Sequence, residues 1–273
     1  MDDPTFPPEL EREIFEITAL IHPGTIPSLL RVARRVLIWS EPLLFRVVRI
    51  DATAHRELLP ALLTKSPEFV QTAVRHLGLL DSWTGHSMEQ LLNLLSLCTG
   101  VIGFAFAGFY KATAFLPMLS QMRLRHLSLS LDAFDDSFDL THAIFASVTH
   151  LTLFNMDHER ITEAIKHIPK LRLTHVSLII NIPRDSVMAV LSKCPRLELF
   201  LILWPKQAAG VNVYGLAGLP YVYDVRFVIG CYSDYWGDWE AGAKGYPNLW
   251  SQGDDFVARK RRGEIEATRY WLD

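Results

Sequence analysis

Four histidines, His76, His126, His150 and His175, each stand two residues after the first apolar residue of a short segment of similar pattern. On parallel strands about 4.8 Å apart, the last three would line up as a ladder of imidazoles. Imidazoles in a row could hold a metal or relay a proton. No carboxylate shares their register, Gly103 interrupts the row and Leu199 ends it, so an interaction surface is the expected role. Two residues further on, the same register reads Ser128, Thr152, Ser177, Leu201 and Arg226. Small hydroxyls beside histidines suit the concave recognition face of a parallel solenoid. The predicted substrate-binding set is therefore His126, Ser128, His150, Thr152, His175 and Ser177. The acidic run DAFDDSFD, 132–139, lacks the glycine and glutamate of a calcium loop and reads as a solvated loop. No GxSxG, Walker loop, HExxH or kinase motif is present, and neither a catalytic residue, a metal nor a cofactor is expected.

The elements that must carry these residues repeat. RLRHLSLSL (123–131), SVTHLTLFN (147–155), RLTHVSLII (172–180), RLELFLILW (196–204) and YVYDVRFVI (221–229) share one apolar spacing. Their first apolar residues, Leu124, Val148, Leu173, Leu197 and Val222, lie 24, 25, 24 and 25 residues apart. Earlier rungs fall at Val101/Phe104/Phe106, Val74/Leu77/Leu79 and Phe45/Val48/Ile50. Between rungs the period changes to helical: Ile161, Ala164, Ile165 and Ile168, then Val187, Val190, Leu191 and Cys194, follow i, i+3, i+4, i+7. Pro169 and Pro195 close those helices. The predicted unit is a helix, a tight turn and a short strand, with the strands stacked in parallel. Period and LxxLxL pattern resemble leucine-rich repeats over about residues 74–230. Asn155 and Asn181 lie near the position where that family has an asparagine.

Composition narrows the function classes. The chain has 273 residues, 49% hydrophobic and 21% charged, which fits a folded array and not a disordered chain. A formal charge of −3 argues against a nucleic-acid footprint. Cys98, Cys194 and Cys231 have no paired spacing, so reduced thiols in the cytosol or nucleus are expected. MDDPTFPPEL has neither the basic nor the apolar region of a signal peptide. Residues 91–110 run without a charge for the length of a membrane span, but they split into the helix and strand of one repeat.

A solenoid exposes core at its ends. Residues 231–273, rich in Tyr and Trp, are predicted to cap the last rung, with ARKRRGEIEATRYW (258–271) as an amphipathic helix. Its basic run Arg259 to Arg262 would serve as a nuclear-import signal or as a solvated helical face.

At the other end, Pro8 and the glutamates at 9, 11 and 13 suit a helix start, and Leu10, Ile14, Ile17 and Ile21 form one stripe. His22-Pro23-Gly24 ends that helix, Pro27-Ser28 opens a second, and three short helices fill residues 1–50. The run Phe6-Pro7-Pro8-Glu9-Leu10 with Ile14-Phe15 resembles the opening of an F-box; LLRVARRV (29–36) resembles its second block. WSEPLLFRVVRI (39–50) resembles the exit into an attached domain. Phe6 and Val36-Leu37 stand where the family usually has leucine and tryptophan. The whole chain is most similar to fungal F-box-like proteins with leucine-rich repeats. That resemblance implies an α/β fold in three parts: an F-box-like unit (1–50), a repeat array (51–230) and a capping tail (231–273). It also implies a substrate receptor of a cullin ubiquitin ligase, with Pro7, Leu10, Ile14, Phe15, Leu29 and Val32 facing a Skp-type adaptor and the repeats holding a protein substrate. The alternative is an interaction scaffold that no longer binds the adaptor.

Overall fold

The computed structural model describes residues 6–51, 58–80, 87–108, 112–136, 138–154, 158–179, 182–206 and 222–272. Asn155 and Asn181 lie outside them. Eight strands form one sheet: β1 (Val47–Ile50), β2 (His76–Leu80), β3 (Gly103–Ala107), β4 (His126–Leu129), β5 (His150–Leu153), β6 (His175–Leu178), β7 (Leu199–Pro205) and β8 (Phe227–Tyr232). Every neighbour pair is parallel, and spatial order equals chain order, so each strand is laid beside the one before it. This is a solenoid-like α/β arrangement.

The rung spacing explains the register. Val48, Leu77, Phe104, Leu127, Leu151 and Val176 pair in one continuous row across six strands, and Ile50, Leu79, Phe106, Leu129, Leu153 and Leu178 in a second. Nearly all are fully buried, and each such side chain stabilises the fold by about 1.5–3 kcal/mol. The helices between strands close the other side of that core. Among the described residues they are α4 (Leu58–Leu63), α5 (Pro67–Ala73), α6 (Met88–Leu97), α7 (Leu116–Leu119), α8 (His158–Ile165) and α9 (Arg184–Lys193). The eight residues predicted to face inward from α8, α9 and their exits are all buried. The uncharged run that begins at residue 91 divides into α6, capped by a Ser87–Gln90 box, and β3. No described helix is long and apolar enough to cross a membrane.

The last rung departs from the expected register. The predicted spacing makes the last interval 25 residues, but Phe200 pairs with Phe227, 27 residues on. Leu201 is therefore opposite Val228, and Arg226 is not in the hydroxyl row. Arg226 instead pairs with Asp224 and donates to the carbonyls of Leu191, Cys194 and Leu197 at 2.6, 2.9 and 3.3 Å. The two extra residues let its guanidinium satisfy the end of α9, where helix carbonyls lack partners.

Three helices precede the sheet, α1 (Pro8–Ile21), α2 (Ile26–Leu29) and α3 (Arg34–Leu44), with Glu11 on α1 paired to Arg35 on α3 at 2.7 Å. Two follow it, α10 (Tyr235–Ala243) and α11 (Leu249–Arg261). The helix predicted over 258–271 is thus displaced toward the N-terminus. Its actual start is fixed by the Asn248–Ser251 capping box, and Gly263, at φ +73°, ends the chain's helical path. Lys260 is buried at 4% exposure and donates to the Phe227 carbonyl, so the basic run 259–262 is not a continuous exposed patch.

Candidate functional site

The parallel register brings the predicted histidines together. His126, His150 and His175 are direct partners on β4, β5 and β6. Ring centroids of His126 and His150 are 4.5 Å apart; His150 and His175 stack at 4.0 Å and 7°. Gly103 does not interrupt the row. A Cβ there would lie 2.3 Å from His76 Nδ1, so the missing side chain admits the His76 ring, which reaches to 6.1 Å from His126. Ser128, Thr152 and Ser177 form the adjoining row in the same register.

Hydrogen bonds from the strand entrances orient two of the rings. Thr149 Oγ1 lies 3.0 Å from His150 Nδ1, and Thr174 Oγ1 lies 2.7 Å from His175 Nδ1. His175 Nε2 is 2.8 Å from Asp254 Oδ1. With the Nε2 proton donated to that carboxylate, His175 Nδ1 accepts from the Thr174 hydroxyl. The surroundings of His76, His126 and His150 disfavour their charged forms. Desolvation, then the charge of His126, Arg46 and Arg75, brings His76 down to about 4. Desolvation, then His175 and His126, brings His150 down to about 3. His126 is lowered too, first by desolvation.

This face is largely covered, with His126 exposed. α10 and α11 lie across it. Trp250 presents an edge to both His150 and His175, at 5.5 and 5.7 Å. The Tyr235 hydroxyl donates to Ser128 Oγ at 3.1 Å, and burial pushes that phenol up to about 12. At the far end Trp239 rests on Gly78, where a Cβ would lie 3.2 Å from the indole, and Glu240 pairs with Arg49 of β1 at 3.2 Å. At the near end Leu249, Phe256 and Val257 bury against Leu199, Leu201, Leu203 and Val228, a second core on the outer sheet face. Gly253 permits that approach, since a Cβ there would lie 2.5 Å from Leu199 Cδ2.

The tail therefore covers the strand face more than the end of the array. Only Tyr270 to Leu272 extend the end, where the Tyr270 carbonyl accepts from Ile229 N and Leu272 N donates to the Ile229 carbonyl. Ser128, Thr152, His175 and Ser177 are buried. His126 and His150 line a cavity of about 210 Å³ together with His76, Tyr235, Asp238 and Trp250. Asp238, raised to about 6 by desolvation and Asp234, accepts from Leu249 N and ties the α10–α11 connection. Among the described residues no group of three or more His, Cys, Asp or Glu side chains could hold a metal ion. His126 is exposed and His150 half-buried, but a protein substrate would meet Ser128, Thr152, His175 and Ser177 only with the tail displaced. The tail was expected over the last rung, and its place on the strand face was not foreseen, although Leu199 and Leu201 signalled it: two apolar residues where the preceding strand carries His175 and Ser177 mean that both sheet faces are buried there.

The six residues predicted to face an adaptor divide. Pro7, Leu10, Ile14 and Val32 are exposed, Leu10 and Ile14 at 49% and Val32 at 59%. Phe15 and Leu29 are half-buried, Phe15 with its ring 6.5 Å from that of Trp39. Of the 13 exposed large hydrophobics among the described residues, ten lie in α1–α3 and the residues beside them. That concentration is what a docking surface needs.

No protein-family model matches the chain, and no curated protein is similar to it.

Proposed function

We propose that the chain is a non-catalytic receptor subunit of a cullin ubiquitin ligase, docking through α1–α3 on a Skp-type adaptor and presenting a protein substrate from the repeat array. The observation that carries this reading is the exposed stripe of Leu10, Ile14, Ile17 and Ile21 along α1, 41% or more accessible along with Phe6 and Leu20. A solvated helix of a self-sufficient domain would put charge there. The resemblance of residues 6–50 to an F-box supplies the partner's identity, and an interface of about 1,600 Å² would suffice for a stable complex. Proximity is then the whole mechanism: the adaptor anchors one end of the chain to the ligase and the array holds the substrate.

Co-expression with a Skp-type adaptor tests it. The wild-type chain should co-purify, and Leu10→Asp and Ile14→Asp should weaken the complex by at least about ten-fold, as expected for charge placed in an apolar interface centre. A folded wild-type chain that does not bind the adaptor would favour the second reading, an interaction scaffold without adaptor binding. That reading draws on Phe6 and on Val36, a fully buried valine where the F-box pattern commonly has tryptophan.

A further inference from the structure

The strand entrances carry a second constellation. Backbone bonds put Arg46, Arg75, Ile102 and Arg125 in line at the starts of β1–β4: the Arg46 carbonyl accepts from Arg75 N, that of Arg75 from Ile102 N, and that of Ile102 from Arg125 N. Between the last three, a depression of about 630 Å³ is lined by Gln71, Arg75, Thr99, Gln121, Arg123 and Arg125 and by the backbone of Gly100–Ile102. Among the described residues no carboxylate lines it. Arg12, Arg35, Arg49, Arg226 and Arg262 each face an acidic partner. Among the described residues Arg75, Arg123 and Arg125 have no ion pair. Three guanidiniums without an acidic partner thus share one depression in a chain of net charge −3.

The pocket is also shaped. A Cβ at Gly100 would lie 1.9 Å from the Gln71 carbonyl oxygen and 3.3 Å from Arg75 Nη1. The bare backbone turn therefore packs on the end of α5 and leaves the half-buried Arg75 guanidinium in place beside it. Arg123 and Arg125, two residues apart on an extended entrance, reach the same space from the next rung. Guanidinium forks match the oxygens of a tetrahedral dianion bidentately, and the neutral Gln71, Thr99 and Gln121 side chains can donate to the same or to adjoining oxygens. Desolvation is the main cause that lowers His76 and His126, and the charges of Arg75 and Arg125 add to it.

We propose that Arg75, Arg123 and Arg125 form a binding site for a phosphate monoester. The site stands on its own residues and does not depend on adaptor docking. Its ligand is either a small free phosphate compound or a phosphorylated side chain, which share this chemistry. An extended nucleic-acid backbone is disfavoured by the overall negative charge and by a cluster confined to neighbouring rungs.

Calorimetric titration of the full chain tests the proposal with three probes: inorganic phosphate, a blocked Ala-phosphoserine-Ala tripeptide and the same tripeptide unphosphorylated. Both phosphate probes should bind and the unphosphorylated one should not. The Arg123→Gln/Arg125→Gln double variant should lose at least about ten-fold in affinity, as loss of charge-assisted pairs predicts. Its melting temperature should not move, because both side chains are exposed. Arg75→Gln should weaken binding as well, while Arg196→Gln, an exposed arginine outside the pocket, should bind as wild type. Tighter binding of the phosphorylated tripeptide identifies a protein ligand; equal or tighter binding of inorganic phosphate identifies a small one. The proposal is overturned if neither phosphate probe binds at about 1 mM, or if the double variant binds like the wild type.

Discussion

The two ends of the chain carry comparable apolar material and treat it in opposite ways. In α1, α3 and the turn before α3, Leu10, Ile14, Ile17, Ile21, Val32 and Ile38 stand open to solvent. In α11, Leu249, Phe256 and Val257 are buried at 6% exposure or less against the outer face of β7 and β8. The C-terminal helices have found their partner inside the chain. The sheet offers them Leu199, Leu201, Leu203 and Val228, and glycine at 253 and 78 removes the steric barrier to contact. The N-terminal helices pack largely on each other, with Glu11 paired to Arg35 between α1 and α3, and Glu41 of α3 paired to Lys65 ties them to the array. Apolar periodicity thus shows that a helix wants a partner and leaves open whether that partner is in the same molecule.

Substitutions can break this contrast. The largest effect is expected at Phe256: Phe256→Ala should destabilise the chain by about 3–5 kcal/mol in denaturant unfolding, because it leaves a cavity between α11 and β7. A loss below about 1 kcal/mol would mean that the tail is not part of the folded core.

Acid should sharpen the contrast next. The folded-state values of His76 and His150 are lowered to about 4 and about 3. Below the ordinary imidazole value near 6.5 the unfolded chain takes up protons that the folded chain refuses, so stability falls as pH drops from about 6.5 toward 4. Each histidine contributes at most about 1.4 kcal/mol per pH unit. Asp238 works against this between about 6 and its ordinary value, because its folded form prefers the proton. Two strongly depressed histidines outweigh one raised carboxyl, and the net slope should be a loss. Melting temperatures from pH 7 to 4 check it: His150→Gln should flatten the slope, and an unchanged slope would show that His150 is not held neutral.

A smaller effect is expected at Asp254. It is 48% exposed, so Asp254→Ala should cost less than about 1 kcal/mol despite its 2.8 Å contact with His175. The smallest is at Ile14: Ile14→Ser should change stability by no more than about 0.5 kcal/mol while it weakens adaptor co-purification. A large destabilisation there would place Ile14 in a core and remove the docking surface.

Much of the architecture was legible because it is local and periodic. The 24-residue interval sets the pairing of β3 through β7, and the alternation within each rung decides which residues face the helices. The alignment of His126, His150 and His175 follows from that interval alone. Legibility ended at Arg226, where two added residues serve a contact with the end of α9 rather than the repeat. It failed again in the tail, whose aromatic residues read as an end cap. Tyr235 meets Ser128 across 107 positions of sequence, and His175 meets Asp254 across 79. No local pattern encodes distances of that kind. Gly103 shows the same limit at one residue: in sequence it is a gap in a histidine row, and in space it is the opening through which His76 joins the row.

Sequence by itself determined the repeat, the parallel register of the central strands and the apolar stripe of α1, because each is written in spacings of two to twenty-five residues that backbone geometry translates directly. Tertiary structure alone decided that most of the histidine face is covered, that the basic run at 259–262 is broken by a buried lysine, and that three arginines from two rungs line one pocket. Those outcomes depend on which distant surfaces bury the most apolar area when brought together, and that competition is settled only when the whole chain is packed.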